Sequence, residues 1–511
     1  MGILPRLAAW SSELAPSHVP ADVVERVRLQ HLALGGAWRA AHDLACVRAA
    51  RTSGARRGAS TLPGGRTTSR RDAVRLLATA LTAQEYDDFL LGGHTGSAVA
   101  AVSWALAKRH TIDEVVAATV VGNELGARIG ASALLSPSCR QSSVSSLAAA
   151  ATASRLLGLD ARATAHALAL ALVGPRRLSE HALMGNAEQR GTHLALPILD
   201  GFDAAVLAAG GATGPLDLLD ARHGYYGEHD LPLRAAFSGL GQCWLTRTLT
   251  YKPLPGCAWL QVPLQATREI LARHVKAADK RLRAKQVLRV ELALPAPAVG
   301  LEVRAARLAK GSLLFGVRRA IGALCVAYEL GSEQLTPAWQ AEHRDAVERI
   351  AASIEVRHDW QMSVDLAEQL LTVGAPLLAG VTMAELRRAA QRQLGPSSLT
   401  LPAGTELLAL ARTRPDRVLA DLGRSSGDLA DFDADAWRFR LGVHMKLFTT
   451  RGGWWPERRD TPEAGPGWPW ADTVAQVLHK HAQGDDARVA GARDLLEASG
   501  TDGAKGWVAA L

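Results

Sequence analysis

Apolar and polar positions in the first half of the chain recur at helical spacing. Pro20 and Asp22 open a segment with Val23, Val24, Val27 and Leu34 on one face, and Gly35-Gly36 is expected to end it. Thr111-Ile112-Asp113-Glu114 has the form of a capping box and predicts a helix through Val115, Val116, Val120 and Leu125. An alanine-rich helix is expected over 147–157, stopped by Gly158. Asp160 then caps another over 161–172, which halts at Gly174-Pro175. A further helix around 202–209 runs into Gly210-Gly211. So many Ala and Gly on helix faces imply helices packed closely on one another in a central bundle.

The period changes after Pro253. Leu288, Val290, Leu292 and Leu294 alternate with Arg289, Glu291 and Ala293, the mark of a half-buried strand. Ala352, Ile354 and Val356 alternate likewise, as do Phe439, Leu441, Val443, Met445 and Leu447. Helical stretches at 312–329 and 382–394 lie between these strands, Gly and Pro crowd 452–469, and helical spacing returns from Ala471. Trp454-Trp455 and His223-Gly224-Tyr225-Tyr226 read as turn and packing segments. The expected fold is mainly α with α+β: a helical domain formed by both termini (1–252 and 461–511) and an inserted α+β lid at 253–460 with a largely antiparallel sheet.

Composition narrows the function classes. The 511 residues are 48% hydrophobic and 21% charged, enough apolar residue for sizeable cores. No continuous apolar run reaches the ~18 residues of a membrane span, and the N-terminus lacks a secretory signal pattern. Gly2 follows Met1, but Arg6 stands where a myristoylation signal needs Ser or Thr. The five cysteines, Cys46, Cys139, Cys243, Cys257 and Cys325, are scattered without a CxxC pair, which points to a reducing cytoplasm rather than disulfides or structural zinc. The net charge of +8 suits an anionic partner. Its densest stretch, 51–71, is rich in Gly, Ser and Thr and carries no aromatic residue for base stacking. It reads as a solvated loop or hairpin, and neither nucleic acid nor membrane is an expected partner.

Seven segments, in order, resemble the MmgE/PrpD family of 2-methylcitrate dehydratases and cis-aconitate decarboxylases. They are AAWSSELAPSHVPADVVERVRLQHLALGGA, EYDDFLLGGHTG, VVGNELGARIG, SSLAAAATASRLLGLDARATAHALALAL, DGFDAAVLAAGGATGPLDLLDARHGYY, YKPLPGC and RRDTPEAGPGWP. The resemblance covers most of 5–330 and, more loosely, 437–485. It implies a homodimer, an active site between the domains, and metal-free removal of water or carbon dioxide from a small polycarboxylate without a cofactor. Such chemistry needs an acid or base at the reacting carbon and fixed positive charge for the carboxylates, a role that suits Arg and Lys.

Carried over residue by residue, the resemblance places Glu85, Tyr86, Asp87 and Asp88 with His94 and Thr95 in the pocket. His94 would donate a proton or bind a substrate oxygen, and Lys252 would hold a carboxylate. Alone, the first group also reads as a turn with solvated aspartates, and Lys252 as a solvated turn residue. Cys139, with Arg140 beside it, sits where family lyases carry a pocket histidine. Arg190 stands at a lysine position, Cys257 replaces a histidine, and Arg319 falls about where a tyrosine is expected. With that histidine replaced, fast 2-methylcitrate dehydration or cis-aconitate decarboxylation is not expected. Cys139 reads either as a nucleophile activated by Arg140 or as a small buried residue. The absence of HExxH, Walker A and GxGxxG patterns leaves no metal or nucleotide implied. The expected activity is that of a cofactor-independent lyase or isomerase on a small anionic carboxylate. The rivals are an epimerase or cyclase of a specialised pathway, an inactive dimeric scaffold, and a basic RNA-associated protein.

Overall fold

The computed structural model describes residues 1–54, 58–136, 141–174, 179–221, 224–227, 230–308, 312–382, 384–386, 388–389, 427–450 and 452–511. Its first half is helical: α1 (Ile3–Glu13), α2 (Ala21–Ala41), α3 (Ala45–Ser53), α4 (Arg70–Ala83), α5 (Gly96–Leu106), α6 (Ile112–Ser132), α7 (Gln141–Leu156), α8 (Ala161–Val173), α9 (Glu180–Leu183) and α10 (Ala187–Ala209). The capping box forms at Thr111, and Asp160 caps α8 through Ala163 N–H. Helix α7 packs against both α6 and α10, with α4 and α8 also against α10. The basic stretch forms a small antiparallel hairpin, β1 (Ser60–Thr61) with β2 (Thr67–Thr68).

After α11 (Ala258–Ala278) comes a four-stranded sheet of β3 (Val287–Leu294), β4 (Ile354–His358), β5 (Val443–Thr449) and β6 (Trp454–Arg459), in the order β4-β3-β5-β6. β3 pairs with β4 in parallel and with β5 antiparallel, and β5 pairs antiparallel with β6. Helices α12 (Ala296–Leu308), α13 (Val317–Ala327), α14 (Pro337–Glu342), α15 (Arg344–Ala352) and α16 (Trp360–Leu371) lie between its strands in the chain, with α11 packed on β5 and β6, α12 on β4 and α15 on β3 and β4. Helices α17 (Trp470–Ala482), α18 (Asp486–Glu497) and α19 (Ala504–Ala510) close the chain, with α17 on α2 and α19 against α6. The fold is mainly α with an α+β region.

Several expectations need correction. Gly35-Gly36 does not end α2, which continues to Ala41; a Cβ on Gly36 would stand 2.7 Å from the Lys480 carbonyl oxygen, so this glycine admits α17 rather than stopping α2. Trp454-Trp455 is not a turn but the start of edge strand β6, in which Trp455 pairs with Leu447 and Pro456 is tolerated because the strand is an edge. Phe439 and Leu441 precede β5 instead of lying in it, and the 312–329 helix is only α13. Most of 382–394, and His223, lie outside the described residues. By length and mean hydropathy α10 could cross a membrane. Arg190, Asp200 and Asp203 interrupt it, however, and it packs among α4, α7 and α8.

Candidate active site

Two irregular segments meet above the helical core. The first leaves α4 at Gln84 and reaches α5 at Gly96. Glu85 adopts a left-handed backbone (φ +51°), which turns the chain at once so that Tyr86 to Asp88 run back across the core. Phe89 and Thr250 exchange backbone hydrogen bonds of 3.1 and 2.8 Å, and Leu91 N–H donates to Thr248 Oγ1 at 2.9 Å. Leu90 and Gly93 close a tight turn around Gly92 (φ +109°). A Cβ on Gly92 would stand 2.1 Å from the Ala127 carbonyl oxygen of α6. The second segment, 248–257, is thereby locked beside the acidic loop.

His94 is fixed by its backbone: its N–H donates to Gln141 Oε1 at 3.1 Å, and Gln141 Nε2 donates to its carbonyl at 2.6 Å. The imidazole lies between two carboxylates, Nε2 3.5 Å from Glu85 Oε1 and Nδ1 3.6 Å from Asp87 Oδ1. Those are ion-pair distances, longer than close hydrogen bonds. Behind His94 the cluster is sealed. Lys252 is fully buried, donates to the Glu85 carbonyl at 2.8 Å, and stands 3.4 Å from Glu85 Oε1 and 3.8 Å from Asp87 Oδ1. Arg190 of α10 pairs with the other Glu85 oxygen and donates to the carbonyls of Thr82 (3.1 Å) and Leu183 (2.6 Å).

Burial alone would raise the Asp87 carboxyl, but His94, Lys252 and the Ser97 hydroxyl, which donates to it at 2.7 Å, hold it down at about 2. Asp88 is pushed the other way, to about 7, by burial and by the charge of Asp87. Burial lowers Lys252 to about 8, with Asp87 opposing. One ionisable group here escaped the sequence reading: Lys480 of α17, buried, donates to the carbonyls of Tyr86 (2.6 Å) and Lys252 (3.2 Å). Burial lowers it to about 7, with Asp88 opposing. Its signal was present, because Lys480 continues the buried face of Thr473 and Val477 at helical spacing.

The other expected residues divide: Tyr86 and Cys257 border the cluster, while Thr95 and Arg319 are held by other partners. Tyr86 lies beneath Lys480 and donates to the Pro253 carbonyl at 3.0 Å. Thr95 donates to Asn123 Oδ1 at 2.7 Å, away from the His94 ring, in a buried network with Gln30. Cys257 is buried at the start of α11, where burial pushes its thiol up, so it is no ready nucleophile. Arg319 is not brought to the cluster; it pairs with Glu348 at 2.6 Å beside a cavity of about 600 Å³ in the sheet region. Cys139 and Arg140 lie outside the described residues. A cavity of about 960 Å³ lined by Arg39, Arg51, Arg66 and Arg488 opens elsewhere, and no cluster side chain lines it.

Donor atoms of Glu85, Asp87 and His94 lie within 4.8 Å of one another, a set that suits a divalent cation in kind. Lys252 and Arg190 already stand on those carboxylates, and a divalent ion there would be repelled by both. The arrangement instead suits proton transfer, with one accessible imidazole flanked by carboxylates and backed by fixed cations. Residues 5–229 match the family model described as the MmgE/PrpD N-terminal domain, a span that includes Glu85, Asp87, His94 and Arg190. No curated protein matches the chain.

Proposed function

We propose that this member of the MmgE/PrpD family, whose N-terminal domain spans residues 5–229, is a lyase that moves a proton on a small carboxylated metabolite with His94 as its acid and base. The observation that carries the reading is the placement of His94. Its side chain is 19% exposed, while those of Glu85, Asp87, Arg190 and Lys252 are 5% or less. It is therefore the member of the cluster that a substrate can meet, and its two carboxylate neighbours stabilise the imidazolium formed when it takes a proton.

In the elimination we infer, His94 removes the proton from the carbon beside a substrate carboxylate. The C–H electron pair becomes the new double bond, and the β-hydroxyl leaves as water by taking that same proton back from the His94 imidazolium, which returns to neutral imidazole. Arg190, Lys252 and Lys480 stand among Glu85, Asp87 and Asp88, so the cluster brings cationic as well as acidic groups to the place where a small carboxylate would bind. A proton held between Glu85 and Asp87 can also be returned to the same substrate, which keeps an isomerase as the second reading. The roles of Cys139 and Arg140, a closing function for the sheet region, a homodimer, a cytoplasmic location and independence of cofactors belong to the same proposal.

A thermal-shift panel of citrate, aconitate, succinate and itaconate, followed by turnover assays on each, tests it. At least one di- or tricarboxylate is expected to raise the melting temperature, by mass action on the folded state. His94→Gln is expected to cut turnover by about 10²- to 10⁴-fold while leaving the ligand-induced shift in place. Equal turnover by wild type and His94→Gln, or no response to any carboxylate, would overturn the reading.

A further inference from the structure

Lys480 has a setting that core packing does not account for. A fully desolvated ammonium costs several kcal/mol even with partners, and an apolar side chain would fill the same place between α2 and α17 at no such cost. Its neighbours explain what the charge gains. Nζ donates to the carbonyls of Tyr86 (2.6 Å) and Lys252 (3.2 Å) and lies 3.8 Å from the centre of the Tyr86 ring. Tyr86 precedes Asp87 in the chain, so one ammonium joins the backbone next to the acidic pair to the backbone of the lysine that faces it.

The helix that carries Lys480 is built for this contact. Gln476, one turn earlier on the same face, donates to the Tyr251 carbonyl at 3.4 Å. Gly35 and Gly36 of α2 let α17 approach: a Cβ on Gly35 would stand 3.0 Å from His481 Nδ1, and one on Gly36 2.7 Å from the Lys480 carbonyl. Arg39 of α2 holds the next residue, donating to the His481 carbonyl at 2.9 Å. Helix α17 is thus seated from behind and aims two donors at the 251–252 backbone.

We propose that Lys480 is a positioning residue of the candidate site: its ammonium ties the acidic loop to the Lys252 segment and fixes how far Asp87 stands from Lys252. The inference rests on the reading of this cluster as a proton-transfer site. It adds that the catalytic geometry is completed from the C-terminal end of the chain, beyond the matched N-terminal domain.

The test compares Lys480→Met, which removes both hydrogen bonds of the ammonium, with Lys480→Gln, which keeps a donor. In Lys480→Met, amide hydrogen exchange over 84–95 and 248–257 is expected to accelerate about tenfold or more, the scale of one lost charged hydrogen bond. Exchange over α6 and α7 should stay unchanged, whereas a general loss of stability would speed both. On any carboxylate the wild type turns over, kcat should fall about ten- to a hundredfold with KM within about threefold, and Lys480→Gln should recover part of the loss. If Lys480→Met does not fold, Lys480→Gln takes its place and should loosen both 84–95 and 248–257 by a smaller factor. Unchanged exchange in both segments overturns the inference whatever the activity. A wild type that turns over no carboxylate removes the proposed function, and the exchange arm then decides the tie by itself.

Discussion

Glu85 shows how much one residue can be asked to do. Its left-handed backbone turns the chain, its carbonyl accepts from Lys252, and its carboxylate meets Arg190, Lys252 and His94. Removing one partner of a buried ion pair leaves the other charges desolvated and uncompensated. Glu85→Gln is therefore expected to destabilise the protein by about 3–5 kcal/mol in urea denaturation. A loss below about 1 kcal/mol would mean that Arg190 and Lys252 find other partners. At this scale much of the site was legible. EYDDFLLGGHTG and YKPLPGC supplied Glu85, Asp87, His94 and Lys252, all of which the structure brings within 4 Å of a partner in one cluster. Lys480 and Gln141 were not singled out: the spacing of α17 marks Lys480 as buried, but neither residue gives a local sign of which partners it meets. Arg319 was expected at the pocket only because it falls about where the resembling family has a tyrosine, and that likeness carries no sign that Glu348 stands beside it.

At the scale of elements, close helix packing depends on small residues whose reason is invisible locally. Gly130 lies inside α6 directly under the turn that carries His94, where a Cβ would come 1.7 Å from the Gly92 carbonyl oxygen. Backbone cannot move aside as a flexible side chain can, so Gly130→Ala should cost about 3 kcal/mol, the upper part of the usual overpacking range. It should also lower turnover by displacing the loop. Gly491 in α18 is the contrasting case, with nothing within 4 Å of its Cβ position. Gly491→Ala should raise stability by about 0.5–1 kcal/mol, because the helix regains only the usual alanine advantage. Urea midpoints of the two variants check both signs together. The same difference explains the misread end of α2: Gly35-Gly36 carries the composition of a helix stop, but its purpose is the approach of α17.

Across the whole molecule, stability should depend on pH through a buried histidine that is not part of the candidate site. His31 is buried, accepts from Trp104 Nε1 at 2.7 Å and meets Thr119 Oγ1 at 3.0 Å, and burial holds it at about 3 against an ordinary 6.5. The unfolded chain therefore binds the extra proton first, and stability falls as pH drops below 6.5 by up to about 1.4 kcal/mol per pH unit. Urea denaturation at pH 7 and pH 5 should differ by about 2 kcal/mol from this group, and His31→Gln should flatten the difference. His481, lowered to about 4 by burial, acts in the same direction. On its own, the sequence determined the helical first half, the strands at 287–294, 354–358 and 443–449 to within a few residues, and the segments that bear the acidic loop and Lys252. These follow from periodicity, caps and motif order, which are local properties of the chain. Only the tertiary structure decided that β4 runs parallel to β3 and that Trp454 opens an edge strand. It alone decided that α17 delivers Lys480 to residues almost four hundred positions earlier. Those outcomes depend on which surfaces meet and which charges are desolvated together, and residues far apart in the chain carry no mutual spacing from which to read it.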